Sequence, residues 1–235
     1  LTALDARADR MLPRVLAHLP EYASDNFANY DPRELLKEMA ANVEDPHWHA
    51  GLQQALLAAF VRHHPEYDLR SCAVVSGSSR TALSLLGFHC GITDVVMPDL
   101  SWTYEHCFPR SHAVPLTPEL GLNGDAIVHA VEEFVRKDPS WSEYGAVVLN
   151  NPHNATGRVF AIETVRDLLQ RLLEKGIIVI DDLSYRNVVP ERKLPDIPTL
   201  RQLADELVIT GGLTSEQANR LITVHSMSKT DCMAG

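Results

Sequence analysis

A series of short apolar runs restricts the fold of this chain more than any other feature. Val95-Val96-Met97, Ala146-Val147-Val148-Leu149, Ile177-Ile178-Val179-Ile180 and Leu221-Ile222-Thr223-Val224 each end at polar or turn-forming residues. A strand wetted on one face alternates apolar and polar residues, so a nearly unbroken run needs cover on both faces. The cover lies between the runs, where residues 81–88, 126–135 and 162–173 carry apolar side chains at helical spacing. Strands joined by helices of that length pair in parallel, because the crossover returns the chain to the same end of the sheet. The expected fold is therefore α/β, a mostly parallel sheet with flanking helices. Cys72-Ala73-Val74-Val75 is expected as its first strand and Ala113-Val114-Pro115-Leu116 as another.

The chain before these runs has a different texture. Apolar residues recur at helical spacing in residues 11–19, 35–39 and 52–61, and segment 44–51 is expected as a loop from Pro46 and its polar neighbours. Residues 190–198 are expected as a surface loop. The resulting division is an N-terminal helical segment over residues 1–67 and an α/β domain over residues 68–235.

Charge and cysteine usage narrow the partners. Twenty-one Lys and Arg against 31 Asp and Glu leave a net charge of −10, a field that repels phosphate backbones and anionic membrane surfaces alike. Neither nucleic acid nor a membrane is expected as a partner. No apolar run approaches the roughly 18 residues that span a bilayer, and residues 1–10 carry acids where a signal peptide has a basic patch. Cys72, Cys90, Cys107 and Cys232 lie far apart with no C-x-x-C pair, which suggests neither a disulfide framework nor a zinc ribbon and points to the cytoplasm. His89-Cys90 and His106-Cys107 repeat one dipeptide, but such pairs on helices serve as core or cover, and no metal site is expected.

In an open α/β sheet a ligand binds beyond the carboxyl ends of the strands, so the residues just after each run are the informative ones. After the first comes Ser76-Gly77-Ser78-Ser79-Arg80, leading into a helix. A small-residue turn at a helix N-terminus offers free N–H groups and the positive end of the dipole, which suits a phosphate, although this one has neither the P-loop lysine nor G-x-G-x-x-G. Later strand ends carry Trp102, the loop Asn150-Asn151-Pro152-His153-Asn154-Ala155-Thr156-Gly157, the acids Asp181-Asp182 and finally Ser226-Met227-Ser228-Lys229.

Together these segments make a specific pattern. Asn151-Pro152-His153-Asn154-Ala155-Thr156-Gly157 matches N-P-x-N-P-T-G, Asp182-Leu183-Ser184-Tyr185 matches D-x-x-Y, and Ser226-Met227-Ser228-Lys229 matches S-x-S-K. In these motifs and their order, the chain from about residue 50 to its end resembles the class I/II aminotransferases, the fold-type I enzymes dependent on pyridoxal 5′-phosphate (PLP). The resemblance implies a PLP-binding large domain over residues 68–235 and transfer of an amino group between an amino acid and a 2-oxo acid.

It also implies roles. Lys229 holds the cofactor as an internal aldimine and then carries the proton at the substrate Cα, which requires a lysine whose pKa is lowered. Asp182 faces the pyridine nitrogen and keeps it protonated, while Asp181 points to the other face of the strand. Tyr185 and Asn154 bond the phenolic oxygen, and Trp102 stacks on the ring. Gly77, Ser78 and Ser79 bind the 5′-phosphate with help from Ser226, whereas the Arg80 side chain is expected to point away. No metal takes part.

The chain departs from the pattern in three places. Ala155 and Leu100 stand where relatives have proline, so a trans bond or a reshaped loop is expected at Asn154-Ala155. His47, Trp48 and His49 stand near the position of a tyrosine that relatives donate to the neighbouring subunit. The chain ends six residues after Lys229, before the arginine and the C-terminal small domain of relatives, and starts at Leu1, so it is expected to be part of a longer polypeptide that forms a homodimer. The same residues also serve decarboxylases and carbon–sulfur lyases, because the electron sink belongs to the cofactor. A ligand-sensing domain of a regulator and an inactive scaffold are the non-enzymatic alternatives.

Overall fold

The structure, a computed structural model, describes residues 46–75, 77–186, 197–226 and 229. These fall into two compact units divided between Val74 and Val75. The helical expectations for residues 11–19 and 35–39 lie outside the described residues, as does most of the loop expected at 190–198.

In the first unit, helix α1 spans Pro46–His63. Much of segment 44–51 is therefore helical, contrary to the expected loop. Proline has no N–H to donate and a fixed φ near the helical value, so at the first position of a helix it starts the element instead of breaking it. A single 3-10 turn, Leu69–Ser71, follows, with Asp68 accepting from the Arg70 N–H at 2.9 Å.

The second unit is a sheet of five parallel strands: β1 (Asp94–Pro98), β2 (Arg110–Val114), β3 (Gly145–Asn150), β4 (Ile178–Asp182) and β5 (Leu221–Val224), in the order β2-β1-β3-β4-β5. Its helices are α2 (Ser79–Phe88), α3 (Gly124–Lys137), the short α4 (Trp141–Tyr144), α5 (Ile162–Glu174), α6 (Leu200–Ile209) and the short α7 (Ser215–Ala218). Every residue of β1 and β3 is buried, as their unbroken apolar runs require. Two expectations shift. Residues 72–75 join no ladder among the described residues: an extended backbone becomes a strand only where a neighbour takes its N–H and C=O groups. β2 begins at Arg110, because an edge strand with one neighbour accepts Arg110, Ser111 and His112, and it stops before Pro115, which has no N–H to donate.

The sheet separates two cores by the alternation of its side chains. Val96, Val147, Leu149 and Val179 face α3, α5 and α6. On that side α5 presents Val165, Leu168, Leu169, Leu172 and Leu173 as one apolar stripe. Val95, Met97, Ala146, Val148, Ile180 and Val224 face the other way, toward Leu83 of α2 and the segment with Tyr104, Cys107 and Phe108. Helix ends are fixed locally. Asn123 caps α3 by accepting from the Ala126 N–H at 3.2 Å, and Thr199 and Gln202 form a capping box on α6. Among the described residues no helix is long and apolar enough to cross a membrane.

Candidate active site

The strand order reverses between β1 and β3: from β1 the chain moves outward to β2, then returns and adds β3, β4 and β5 on the other side. The loops leaving β1 and β3 therefore diverge above the sheet and open a crevice at the strands' carboxyl ends. A cleft of about 270 Å³ lies there, lined by Ser78, Ser79 and Arg80 at the start of α2, Trp102 after β1, Asn150 and Asn154 after β3, Asp182, Ser184 and Tyr185 after β4, and Ser226 and Lys229 after β5. Of the residues singled out in the sequence, the structure brings Ser78, Ser79, Trp102, Asn154, Asp182, Tyr185, Ser226 and Lys229 to this cleft. Gly77 does not line it.

Asp182 ends β4 on the same face as Ile180, and its carboxylate is buried among donors. The Tyr104 hydroxyl donates to Oδ2 at 2.8 Å, and Ser184 donates to Oδ1 through its Oγ at 2.6 Å and its N–H at 3.0 Å. Burial, and then the charge of Asp182, push the Tyr104 phenol well above its ordinary pKa, so the hydroxyl keeps its proton and donates. Asp181, one residue earlier, lies on the opposite face and accepts from the Leu200 N–H at the start of α6 at 3.0 Å. Burial raises its carboxyl to about 7, with that hydrogen bond acting against the rise.

The loop after β3 is held by side chains that bond backbone. Asn150 donates to the Asp182 carbonyl at 2.7 Å and accepts from the Asn154 N–H at 2.8 Å, which ties this loop to the end of β4. His153 is fully buried, with Nε2 3.1 Å from Ser101 Oγ and Nδ1 2.9 Å from Thr156 Oγ1. Burial keeps its imidazole below the ordinary pKa. The Ala155 N–H donates to the Leu100 carbonyl at 3.0 Å, a second link from the Asn loop to the loop carrying Trp102. The peptide bond at Asn154-Ala155 is trans, and the cis bond of the loop is Asn151-Pro152.

Gly77 has φ +102°, a value that L side chains rarely adopt, and an added Cβ would come within 2.7 Å of Thr81 Oγ1. Its part is to turn the chain into α2. The Ser79 and Arg80 N–H groups stand in the first helical turn, where no intrahelical carbonyl reaches them. The Arg80 side chain does not point away as expected. Its guanidinium lies 4.8 Å from the centroid of the Trp102 ring, an attraction between a cation and a π face. Lys229 is exposed in the cleft, its Nζ 5.8 Å from the centroid of the Tyr185 ring. The cleft thus presents two cations, Arg80 and Lys229, and one buried anion, Asp182, in a chain of net charge −10. Among the described residues no group of three or more His, Cys, Asp or Glu could hold a metal ion.

Comparison with known proteins decides the family. The model of the class I and II aminotransferases matches residues 5–235. The chain belongs to the class I and II aminotransferase family. It is similar to a curated histidinol-phosphate aminotransferase from Rubrobacter xylanophilus, 28% identical over 159 residues, which cover 64% of this chain and 40% of that protein. The fold is shared with solved structures from Mycobacterium tuberculosis. An N-succinyldiaminopimelate aminotransferase matches with a TM-score of 0.53 at 22% identity, over 75% of this chain and 43% of that one. Another aminotransferase matches with a TM-score of 0.53 at 16% identity, over 77% and 46%. The chain spans less than half the length of each of these relatives.

Two residues that line the family member's cleft, Ser184 and Asn150, were not singled out from sequence. Ser184 carries a readable signal, since Asp followed two residues later by Ser after a strand is a common Asx turn. Asn150 carries a weaker one, the parity that puts it on the face of Val148. Tyr104, which stands behind the cleft, carries none. Tyr104 reaches Asp182 across 78 positions of sequence.

Proposed function

We propose that this chain is the PLP-binding large domain of an aminotransferase that moves an amino group between an amino acid and a 2-oxo acid. The observation that carries the reading is the meeting of Lys229, Asp182, Tyr185, Asn154 and Trp102, from four separate strand ends, in one cleft. The donor set suits a phosphorylated pyridine. Asp182 is a carboxylate already held in place by donors, the first turn of α2 has N–H groups without intrahelical partners and Arg80 beside them, and Trp102 offers a flat apolar face.

When bound, PLP supplies an electron sink for the charge left at the substrate Cα. The chain's own residues do the rest. Lys229 is the covalent attachment point and then, as a free amine, takes and returns the proton at that carbon, the work of a general base. Asp182 would accept from the ring nitrogen of the bound cofactor and stabilise its protonated form. Tyr185 and Asn154 would hold the cofactor's phenolic oxygen, Trp102 would pack on its ring, and Ser78, Ser79 and the turn at Gly77 would bind its phosphate with Ser226. Free Cys72, Cys90 and Cys107 fit a reducing cytoplasm. The complete protein acts as a homodimer, an assignment that sedimentation of a fully active monomer would remove.

Borohydride reduction of the PLP-treated protein, with peptide mass spectrometry, tests the assignment. A stable label on Lys229 that disappears in Lys229→Ala supports it, and conversion of bound PLP to its aminated form by an amino acid supports transamination over decarboxylation or carbon–sulfur cleavage. A folded protein with no specific label would sink the reading and favour a scaffold or a ligand sensor.

A further inference from the structure

Behind the cleft, and not among the residues that line it, lies a tyrosine bonded to one that does. Tyr104 is 1% exposed, its hydroxyl is 2.8 Å from Asp182 Oδ2, and its ring meets Trp102 edge-on at 5.4 Å. Ser184 occupies Oδ1. Both carboxylate oxygens therefore accept hydrogen bonds from the protein itself.

We infer that Tyr104 is a positioning residue that acts through Asp182, holding the proton shared by this carboxylate and a ring nitrogen in the cleft on the ring side. The inference rests on the cofactor reading above. One proton lies between the two partners, and it resides on the ring to the extent that the carboxylate is stabilised without it. A hydroxyl donating to a carboxylate stabilises the ionised form. Two other titratable groups lie close to Tyr104, Cys107 and Asp181. Burial pushes the Cys107 thiol up, and Asp181 is turned to the other face and bonded to Leu200. Tyr104 and Ser184 are the side chains that donate to Asp182 among the described residues. Tyr104 also packs on Trp102, so one side chain supports both the face and the nitrogen edge of a ring in the cleft.

Tyr104→Phe keeps the ring and its packing and deletes only the hydroxyl. The test loads the natural full chain with PLP carrying an isotope label at the ring nitrogen and reads that nitrogen's chemical shift by NMR. In Tyr104→Phe the signal moves toward the unprotonated position, by about a tenfold change in the proton equilibrium, the worth of one hydrogen bond to a charged group. Tyr104 carried instead as a ring-fluorinated tyrosine, a stronger donor in the same space, moves the signal the opposite way and keeps the question answerable if the phenylalanine variant does not fold. A signal unmoved in the variants that fold and retain PLP on Lys229 overturns the inference and leaves the cofactor reading intact. Failure of the unsubstituted chain to take label on Lys229 overturns both, and borohydride trapping run in parallel separates the two cases.

Discussion

Asp181 and Asp182 are consecutive on β4, yet their carboxyl groups lie on opposite faces of the sheet and have opposite fates. Asp182 accepts from Tyr104 and Ser184 at the edge of the cleft, while Asp181 accepts from the Leu200 N–H beneath α6. The pleat turns each successive side chain through half a turn. Two identical residues thus come to face different surroundings, one at the cleft and one at a helix terminus, where a carboxyl group meets N–H groups that lack intrahelical partners.

Asp182→Asn removes the charge and keeps the shape. Labelling of Lys229 by borohydride is expected to persist, because the attachment is made elsewhere in the cleft. Turnover of an amino acid substrate should fall on the order of 10²–10³-fold, the usual cost of deleting one preorganised electrostatic contact. Single-turnover kinetics on unreduced, PLP-loaded wild type and Asp182→Asn check this, and wild-type turnover in Asp182→Asn would remove the residue from the mechanism.

Asp181 makes stability depend on pH with a defined sign. Its folded pKa of about 7 lies above the ordinary carboxyl value of 3.8. As pH rises past the lower value the unfolded chain loses this proton first, and the native state holds more protons until about pH 7. The contribution of this group therefore favours the native state below that window and is lost as pH climbs through it. The gap corresponds to on the order of 4 kcal/mol. Asp181→Asn keeps an acceptor for the Leu200 N–H, so its advantage over wild type should grow from pH 4 to about pH 7 and then level. Urea unfolding at a series of pH values measures this, and a constant difference would contradict the assignment.

His153 works in the opposite sense at lower pH. Its imidazole is buried and held below the ordinary value of 6.5, so the unfolded chain takes up a proton first as pH falls. Stability from this residue is present above that value and is lost as pH drops through the folded pKa. His153→Ala should abolish this acid limb and cost about 1–3 kcal/mol at neutral pH by leaving the hydroxyls of Ser101 and Thr156 without their partner. Because that histidine joins the Trp102 loop to the Asn154 loop, weaker PLP retention should accompany the loss, read by equilibrium dialysis.

Gly87 tests how closely α2 must approach the segment carrying Tyr104. An alanine Cβ there would lie 2.1 Å from the Cys107 backbone carbonyl oxygen. Gly to Ala inside a helix ordinarily stabilises by about 0.5–1 kcal/mol. Here the clash with backbone should reverse the sign, to a loss of about 1–3 kcal/mol. Thermal unfolding of Gly87→Ala decides between the two, and a raised melting temperature would show that the segment can retreat.

Much of this protein was legible without coordinates. The apolar runs at residues 146–149 and 177–180 determined buried parallel strands, because only cover on both faces tolerates an unbroken run. Strand parity likewise separated Asp181 from Asp182, and the motifs around Asn154, Asp182 and Lys229 marked the segments that meet in the cleft. Local chemistry misled where one residue has two uses, as with Pro46, which starts α1 where a loop was expected. Tertiary structure alone decided the order of the strands, since a periodic pattern says which residues are buried and not which strand lies beside which. That order sets β1 next to β3 and so brings Trp102 to the Asn154 loop through His153. It also decided the bond from Tyr104 to Asp182, because contact between residues 78 positions apart is a property of the folded chain.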